Sequence, residues 1–246
     1  MSTYQDGTGQ EEGGALPGWR DFERVSAVVF GGTAKENKAI FDVLIPHPTL
    51  PGQQYGISCK MRRELGKVRR KGRVSLELMN AHKQTWAALA MEGITHENYL
   101  SYAPQAGQIA IGLVERWIHA VSIPRGGSID LSRSFYLVLS WAKGTVRQPQ
   151  PTYQLHQFLP VLPDPSSLIW TFRESEAHTL VGTDSIGGVV FEWYGNSGGQ
   201  FKYFPHERDA VWQSDEFHLE PLPGGEYGAI NKVAAYFPKL WKEYFP

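Results

Sequence analysis

The spacing of apolar and polar residues near the start of the chain predicts one helix followed by two strands. Apolar residues recur at close to helical spacing over residues 19–30, and a Gly-Gly pair ends that segment. The period then changes, because residues 39–45 form a β-prone apolar run and residues 55–61 alternate with period two. In the second predicted strand Ser58 and Lys60 share one face, and Ile57, Cys59 and Met61 share the other.

Further along, the pattern predicts two more helices, then a series of strands, then a last helix. Residues 74–91 have helical propensity, with a polar stripe that includes Glu77, and residues 105–121 form another helix. An amphipathic helix is predicted over residues 230–244. The strands between them are predicted at residues 135–141, 153–159, 168–173, 179–182, 189–194 and 200–204, separated by Gly-rich hairpin turns.

These elements predict an α/β protein with a mixed central sheet flanked by helices, extended by a largely antiparallel β-rich region. Residues 1–18, rich in Gly, Gln and Glu, have little to bury and are expected to form a flexible tail. The remainder, residues 19–246, is expected to be a single domain. Its core would span about residues 19–130, and its β-rich region about residues 131–246.

Composition limits the class of protein without identifying it. The chain is 41% hydrophobic and has a single cysteine, Cys59, which excludes an intramolecular disulfide framework and fits a reducing compartment. No apolar run approaches the length of a membrane span, and the Gly-rich start does not resemble a signal peptide. A soluble, cytoplasmic protein is therefore expected.

The charge balance is even, with 24 Lys plus Arg against 25 Asp plus Glu, but one segment is strongly basic. Residues 60–73 create a local positive field that attracts phosphates, although such a segment can also be a solvated loop. We expect this segment to be a loop that contacts phosphates. The residues expected to make these contacts are Arg62, Arg63, Lys67, Arg69, Arg70, Lys71 and Arg73.

Asp42 interrupts the apolar run of the first predicted strand, where an unpaired carboxylate would be costly. A salt-bridged or edge-strand aspartate is one interpretation of this residue. A metal ligand is the other. Pairing of the two adjacent strands would also bring Asp42 close to Lys60.

With Asp42 on one strand and Ser58-Cys59-Lys60 on the next, residues 19–91 resemble the PD-(D/E)xK nuclease family. The resemblance implies a helix–strand–strand–helix core in which carboxylates bind Mg²⁺ and the lysine positions or activates the attacking water. The chain departs from the pattern at Phe41, where the family often has proline, and at Ser58, where it usually has an acid. This Ser-x-Lys arrangement resembles a variant of the family with a displaced glutamate.

The resemblance implies a Mg²⁺-dependent endonuclease that cuts double-stranded DNA, with type II restriction as the setting and a homodimer as its working form. Asp42 and Glu77 would hold the metal, with Glu23 on the first helix as the rival second acid. The alternative is a non-catalytic DNA-binding or assembly protein on a degenerate nuclease fold. The residues expected at the catalytic centre are Asp42, Lys60, Glu77, Ser58 and Glu23.

A competing motif lies at residues 195–199, whose sequence matches the G-x-S-x-G pattern of serine hydrolases. That chemistry requires a helix directly after the serine. Another β-type run follows instead, so the segment is interpreted as a hairpin turn.

Overall fold

The computed structural model describes residues 10–11, 14–15, 18–34, 40–148, 150–173, 178–196, 198–219 and 242–243. These residues form a mixed α/β structure with two main sheets, one of six strands and one of five. The α-helices that it describes are α1 (Trp19–Val29), α2 (Leu65–Lys71), α3 (His82–Met91) and α4 (Ala103–His119).

The strands follow one another in two groups along the chain. A short hairpin, β1 (Gln10–Glu11) with β2 (Gly14–Ala15), lies in the segment expected to be a tail. The first group is β3 (Thr33–Ala34), β4 (Val43–Pro46), β5 (Gln54–Arg62) and β6 (Leu76–Asn80). The second group is β7 (Phe135–Ala142), β8 (Thr152–Phe158), β9 (Ile169–Arg173), β10 (Thr179–Thr183), β11 (Val189–Tyr194), β12 (Gln200–Tyr203) and β13 (Trp212–Gln213).

The six-stranded sheet has the order β13-β8-β7-β5-β4-β3 and is mixed, because β5 and β7 are parallel while its other pairs are antiparallel. Helix α1 packs on one face of this sheet, where Phe22 meets Val43, Ile57 and Leu137. Cys59 and Met61 belong to the same cluster, which confirms the predicted alternation of β5.

The five-stranded sheet is antiparallel throughout, with the order β6-β12-β11-β10-β9. Its apolar face shares a large core with α4 and with the second face of β7 and β8, to which Tyr136, Val138 and Phe158 contribute. Each sheet therefore contains strands from both sides of residue 130. The mixed sheet and the antiparallel β region expected from the sequence are both present, but they are not separated at residue 130, and the two sheets share a core.

The predicted helix over residues 74–91 is wrong in its first part. Residues Leu76–Asn80 form strand β6, and only His82–Met91 is helical. Leu76 and Leu78 are buried while Glu77 and Met79, which alternate with them, are partly exposed, and this is the period-two pattern of a strand. Pairing with β12 buries the two leucines and overrides the helical propensity of the segment. Glu77 therefore lies on a strand.

The basic segment after Lys60 is a short helix, α2, where a loop was expected. Leu65 and Val68, three residues apart, are both buried and anchor this helix against the core. Gly72 ends it in the left-handed conformation, with φ of 62°. The backbone positions of the cations near its end are therefore fixed, because the helix that carries them is packed against the core.

Most of the remaining elements lie close to their predicted positions. Helix α4 and the strands β7 to β12 match within about two residues, and the described residues 195–196 and 198–199 form turns between β11 and β12. The helix predicted over residues 230–244 lies outside the described residues except for 242–243, which are helical. No helix in the described part of the chain is long and apolar enough to cross a membrane.

The close contact between Gly56 on β5 and the Phe41 ring gives a test of the packing that positions Asp42. A Cβ atom at Gly56 would lie 2.2 Å from Phe41 Cγ, so Gly56→Ala should lower the free energy of unfolding by about 1–3 kcal/mol. Gly66 on α2 is the matched control, because the nearest atom to its added Cβ is 3.6 Å away. Gly66→Ala should stabilise by at most about 1 kcal/mol. Urea unfolding measures both, and equal stability of the two variants would contradict this packing.

The buried imidazole of His156 predicts acid destabilisation. Burial lowers its pKa from 6.5 to about 4, and neither ring nitrogen has a hydrogen-bond partner among the described residues. As the pH falls below 6.5 the unfolded chain gains a proton that the folded chain excludes, so this group should cost about 2 kcal/mol of stability at pH 5. His156→Phe, which keeps a ring against Phe158, should remove that loss in urea unfolding at pH 7 and pH 5. A wild-type pH dependence in the variant would show that His156 titrates normally.

Candidate active site

The candidate site begins where strands β4 and β5 separate. Their ladder starts at the pair Val43 and Ile57, and the Asp42 backbone N–H donates to the Ile57 carbonyl at 2.9 Å. Farther along β5 the N–H of Cys59 donates to Asp42 Oδ2 at 2.8 Å. A side-chain carboxylate thus satisfies a backbone donor beyond the end of the ladder. Asp42 is held beside the main chain of β5 as a result.

The same carboxylate oxygen contacts the two polar side chains of β5. Asp42 Oδ2 lies 3.3 Å from Ser58 Oγ and 3.6 Å from Lys60 Nζ. The Lys60 side chain is 20% exposed and that of Asp42 is 10% exposed, so the ion pair is mostly buried but reachable from solvent. The structure therefore brings Asp42, Ser58 and Lys60 together where the β4–β5 ladder ends.

Glu23 lies on α1, and its charge acts on Cys59 of β5. Burial raises the pKa of the Cys59 thiol to about 12, and the negative charges of Asp42 and Glu23 act in the same direction. A side-chain hydrogen bond with Ser26 and the charge of Lys60 oppose that shift. Glu23 and Ser26 lie three residues apart on α1, so they share a helix face. Two carboxylates, Asp42 and Glu23, thus act on the same thiol.

Glu77 is placed differently from the expectation. It lies on β6 opposite Lys202, and its Oε1 accepts a hydrogen bond from Arg62 Nη2. Arg62 follows Lys60 by two residues on β5 and therefore points to the same face. Glu77 is close to the strand that carries Lys60, but its charge is balanced by Arg62.

The donor types fit Mg²⁺, which prefers carboxylate and hydroxyl oxygens and often needs only one or two carboxylates from the protein. Asp42 supplies one carboxylate, and Glu23 or Glu77 would have to supply the other. Within the described residues, no three His, Cys, Asp or Glu side chains are grouped closely enough to hold a metal. The fit is therefore one of donor chemistry only.

The predicted DNA-binding cations divide into two groups. In the first, ion pairs join Arg62 to Glu77, Lys67 to Glu64, Arg69 to Glu216 and Arg73 to Asp184. Arg73 also donates to the Phe204 carbonyl, which makes it a tie between chain segments. In the second group, Arg63 lies over the Trp141 ring, and Arg70 and Lys71 are exposed near the end of α2. The second group is the better placed to meet a phosphate backbone.

Sequence reasoning missed Tyr136, which lies beside Ser58 across the parallel pairing of β5 and β7. Its hydroxyl is buried and has no hydrogen-bond partner in the part of the chain that is described. Burial raises the pKa of this phenol, so it stays protonated and can donate. The signal in the sequence is weak: Tyr136 is one polar group in the apolar run of β7.

Comparisons with known proteins do not assign the chain to a family: no family model matches it, and no curated protein and no solved structure matches it either.

Proposed function

We propose that this chain is a Mg²⁺-dependent endonuclease that hydrolyses phosphodiester bonds in double-stranded DNA, of the type II restriction class. The observation that carries the proposal is the 3.6 Å contact between Asp42 Oδ2, just before β4, and Lys60 Nζ on the adjacent strand β5. The chain order α1, β4, β5, α2 around it, with the short β3 after α1, agrees with the helix–strand–strand–helix core that the family resemblance implies.

Each side chain has a role that its position permits. Asp42 is a metal ligand, oriented by the Cys59 N–H and the Ser58 hydroxyl. Lys60 lies against that carboxylate, where its ammonium can position the attacking water and stabilise negative charge that develops on the phosphate. When bound, Mg²⁺ would neutralise the scissile phosphate and favour ionisation of the water.

The exposed cations on α2 and next to it would guide the duplex to the site formed by Asp42 and Lys60. Helix α2 starts three residues after β5 ends, so its position relative to Lys60 is restricted by a short connection. Arg63, Arg70 and Lys71 are the residues proposed to contact phosphates. Binding of this kind depends strongly on salt, because each contact releases counterions.

A non-catalytic DNA-binding or assembly role on a degenerate nuclease fold is the second candidate. The observation that favours it is the pairing of Glu77 with Arg62, together with a serine at position 58. In that case the pair of Asp42 and Lys60 is purely structural. Replacing a buried ion pair by apolar groups is often neutral for stability, so only an activity measurement separates the two candidates.

Cytoplasmic location and a homodimer complete the restriction-enzyme proposal. A two-fold symmetric dimer presents one active site to each strand of a symmetric DNA site. Gel filtration with and without duplex DNA tests the dimer separately from the chemistry.

Purified protein should cut plasmid DNA in the presence of Mg²⁺, and EDTA should stop the reaction. Lys60→Ala and Asp42→Asn should each lower the cleavage rate by at least about 100-fold, because each removes a group that acts on the water or the metal. Lys83→Ala, which removes an exposed cation of α3, is the matched control and should cut at the wild-type rate. Agarose gels measure the rates, and circular dichroism checks that each variant is folded.

Two results would sink the nuclease proposal: absence of Mg²⁺-dependent cutting by the wild-type protein, or wild-type rates in Lys60→Ala. Discrete fragments would identify sequence-specific restriction, and a smear would identify nonspecific cutting. DNA binding without any cutting would favour the degenerate-fold candidate.

The exposed end of α2 should set the salt dependence of DNA binding. The double variant Arg70→Ala, Lys71→Ala should flatten the slope of log K against log salt by about 0.9 for each phosphate that the protein no longer neutralises. Fluorescence anisotropy of a labelled duplex in Ca²⁺, which should support binding without turnover, measures that slope. The double variant Lys83→Ala, Arg133→Ala is the control for loss of charge. Equal slopes in wild type and in the α2 variant would show that this helix end faces away from DNA.

A further inference from the structure

The ion pair between Arg62 and Glu77 joins the two main sheets of the molecule. Arg62 is the last residue of β5 in the six-stranded sheet, and Glu77 lies on β6 at the edge of the five-stranded sheet. Their side chains are 28% and 32% exposed, so solvent and ligands can reach both. A contact of this kind can exchange partners, since neither group is sealed in the core.

Arg62 is the cation on which Glu77 depends. Lys202 lies opposite Glu77 in the β6–β12 ladder, but its ammonium lies over the Tyr194 ring at 4.7 Å from the centroid. Glu64, the other carboxylate near Arg62, has partners of its own in Ser75 and Lys67. Removing Arg62 from the pair would therefore leave Glu77 as the carboxylate in need of a cation.

Arg62 itself is incompletely satisfied in this arrangement. Its Nη2 donates to Glu77, whereas its buried Nε has no hydrogen-bond partner among the described residues. An unsatisfied buried donor is costly, which weakens the resting arrangement relative to one that uses the whole guanidinium fork. A phosphate offers that fork two acceptor oxygens.

The position of Arg62 puts it within reach of a phosphate at the candidate site. Arg62 and Lys60 are two residues apart on one face of β5, a spacing of about 6.7 Å between their Cα atoms. A DNA backbone that brings its scissile phosphate to Lys60 therefore also passes Arg62. Phosphate and the Glu77 carboxylate would compete for the same guanidinium group.

We propose that Arg62 holds Glu77 while no DNA is bound, and that a DNA phosphate displaces Glu77 from Arg62 and frees it to hold a divalent cation together with Asp42. This inference rests on the proposed nuclease function and adds to it a coupling between two ligands. DNA raises the affinity for the metal, and the metal raises the affinity for DNA by the same factor. The active site is assembled only on substrate.

The coupling predicts the behaviour of the DNA-free protein when Arg62 is removed. Arg62→Gln leaves Glu77 without its cation, so the variant should bind Ca²⁺ at least about fivefold more tightly than the wild type. Adding Glu77→Gln to Arg62→Gln should abolish that gain. Arg133→Gln, which breaks the pair with Asp130 away from the site, is the matched control and should bind Ca²⁺ as the wild type does.

Isothermal titration of Ca²⁺ into the full chain without DNA measures these affinities for the wild type and the variants. Anisotropy of a labelled mixed-sequence duplex, in EDTA and in Ca²⁺, measures the reverse coupling. Wild type should bind DNA more tightly in Ca²⁺ by at least about fivefold, and Glu77→Gln should lose that enhancement. The Glu77→Gln arm keeps the test decisive if Arg62→Gln fails to fold.

The inference is overturned if Arg62→Gln binds Ca²⁺ no better than wild type, or if the gain persists in Arg62→Gln, Glu77→Gln, because the effect would then be one of general charge. It is also overturned if Glu77→Gln keeps the full enhancement of DNA binding by Ca²⁺. If the wild type cuts plasmid DNA in any of these cases, the inference fails but the proposed nuclease function is retained. A protein that neither binds Ca²⁺ nor cuts DNA fails on both counts.

Discussion

The hydrogen bond from the Cys59 N–H to the Asp42 carboxylate is the constraint on which the candidate site depends. Beyond the end of the β4–β5 ladder this donor would otherwise need another acceptor, and an unpaired buried N–H is costly. Meeting that need with a charged side chain draws the carboxylate to β5. Ser58 and Lys60 then reach it because period-two alternation puts both on the face next to Asp42.

Local patterns predicted α1 and β5 closely, because the helix is amphipathic and the strand alternates clearly, although β4 begins only at Val43 and residues 40–42 of the strand predicted over residues 39–45, including Asp42, lie before it. They failed at Leu76–Asn80, where helical propensity and strand alternation compete over five residues. The partner that decides the outcome, β12, is more than a hundred residues away. Helix α2 was missed for a related reason: the buried Leu65 and Val68 are two apolar residues in a segment dominated by charge.

The position of Glu77 could not be predicted from the sequence for the same physical reason. A helix would have presented Glu77 together with the polar residues one and two turns later, whereas a strand on a second sheet presents it to Arg62. The sequence also could not show which cations form ion pairs. Arg69 pairs with Glu216 and Arg73 pairs with Asp184, and both acids lie far along the chain. Pairing of this kind is a property of tertiary structure.

Ser58 keeps a second negative charge away from Asp42 in the folded protein. The residue is 1% exposed and its hydroxyl lies against Asp42 Oδ2, so a carboxylate in its place would put two negative charges together in a buried position. A cation would have to compensate for that repulsion at all times. With serine at this position, Lys60 pairs with Asp42 and position 58 adds no second negative charge. In the proposed nuclease, the hydroxyl would therefore allow the site to remain without a metal at rest without a large cost in stability.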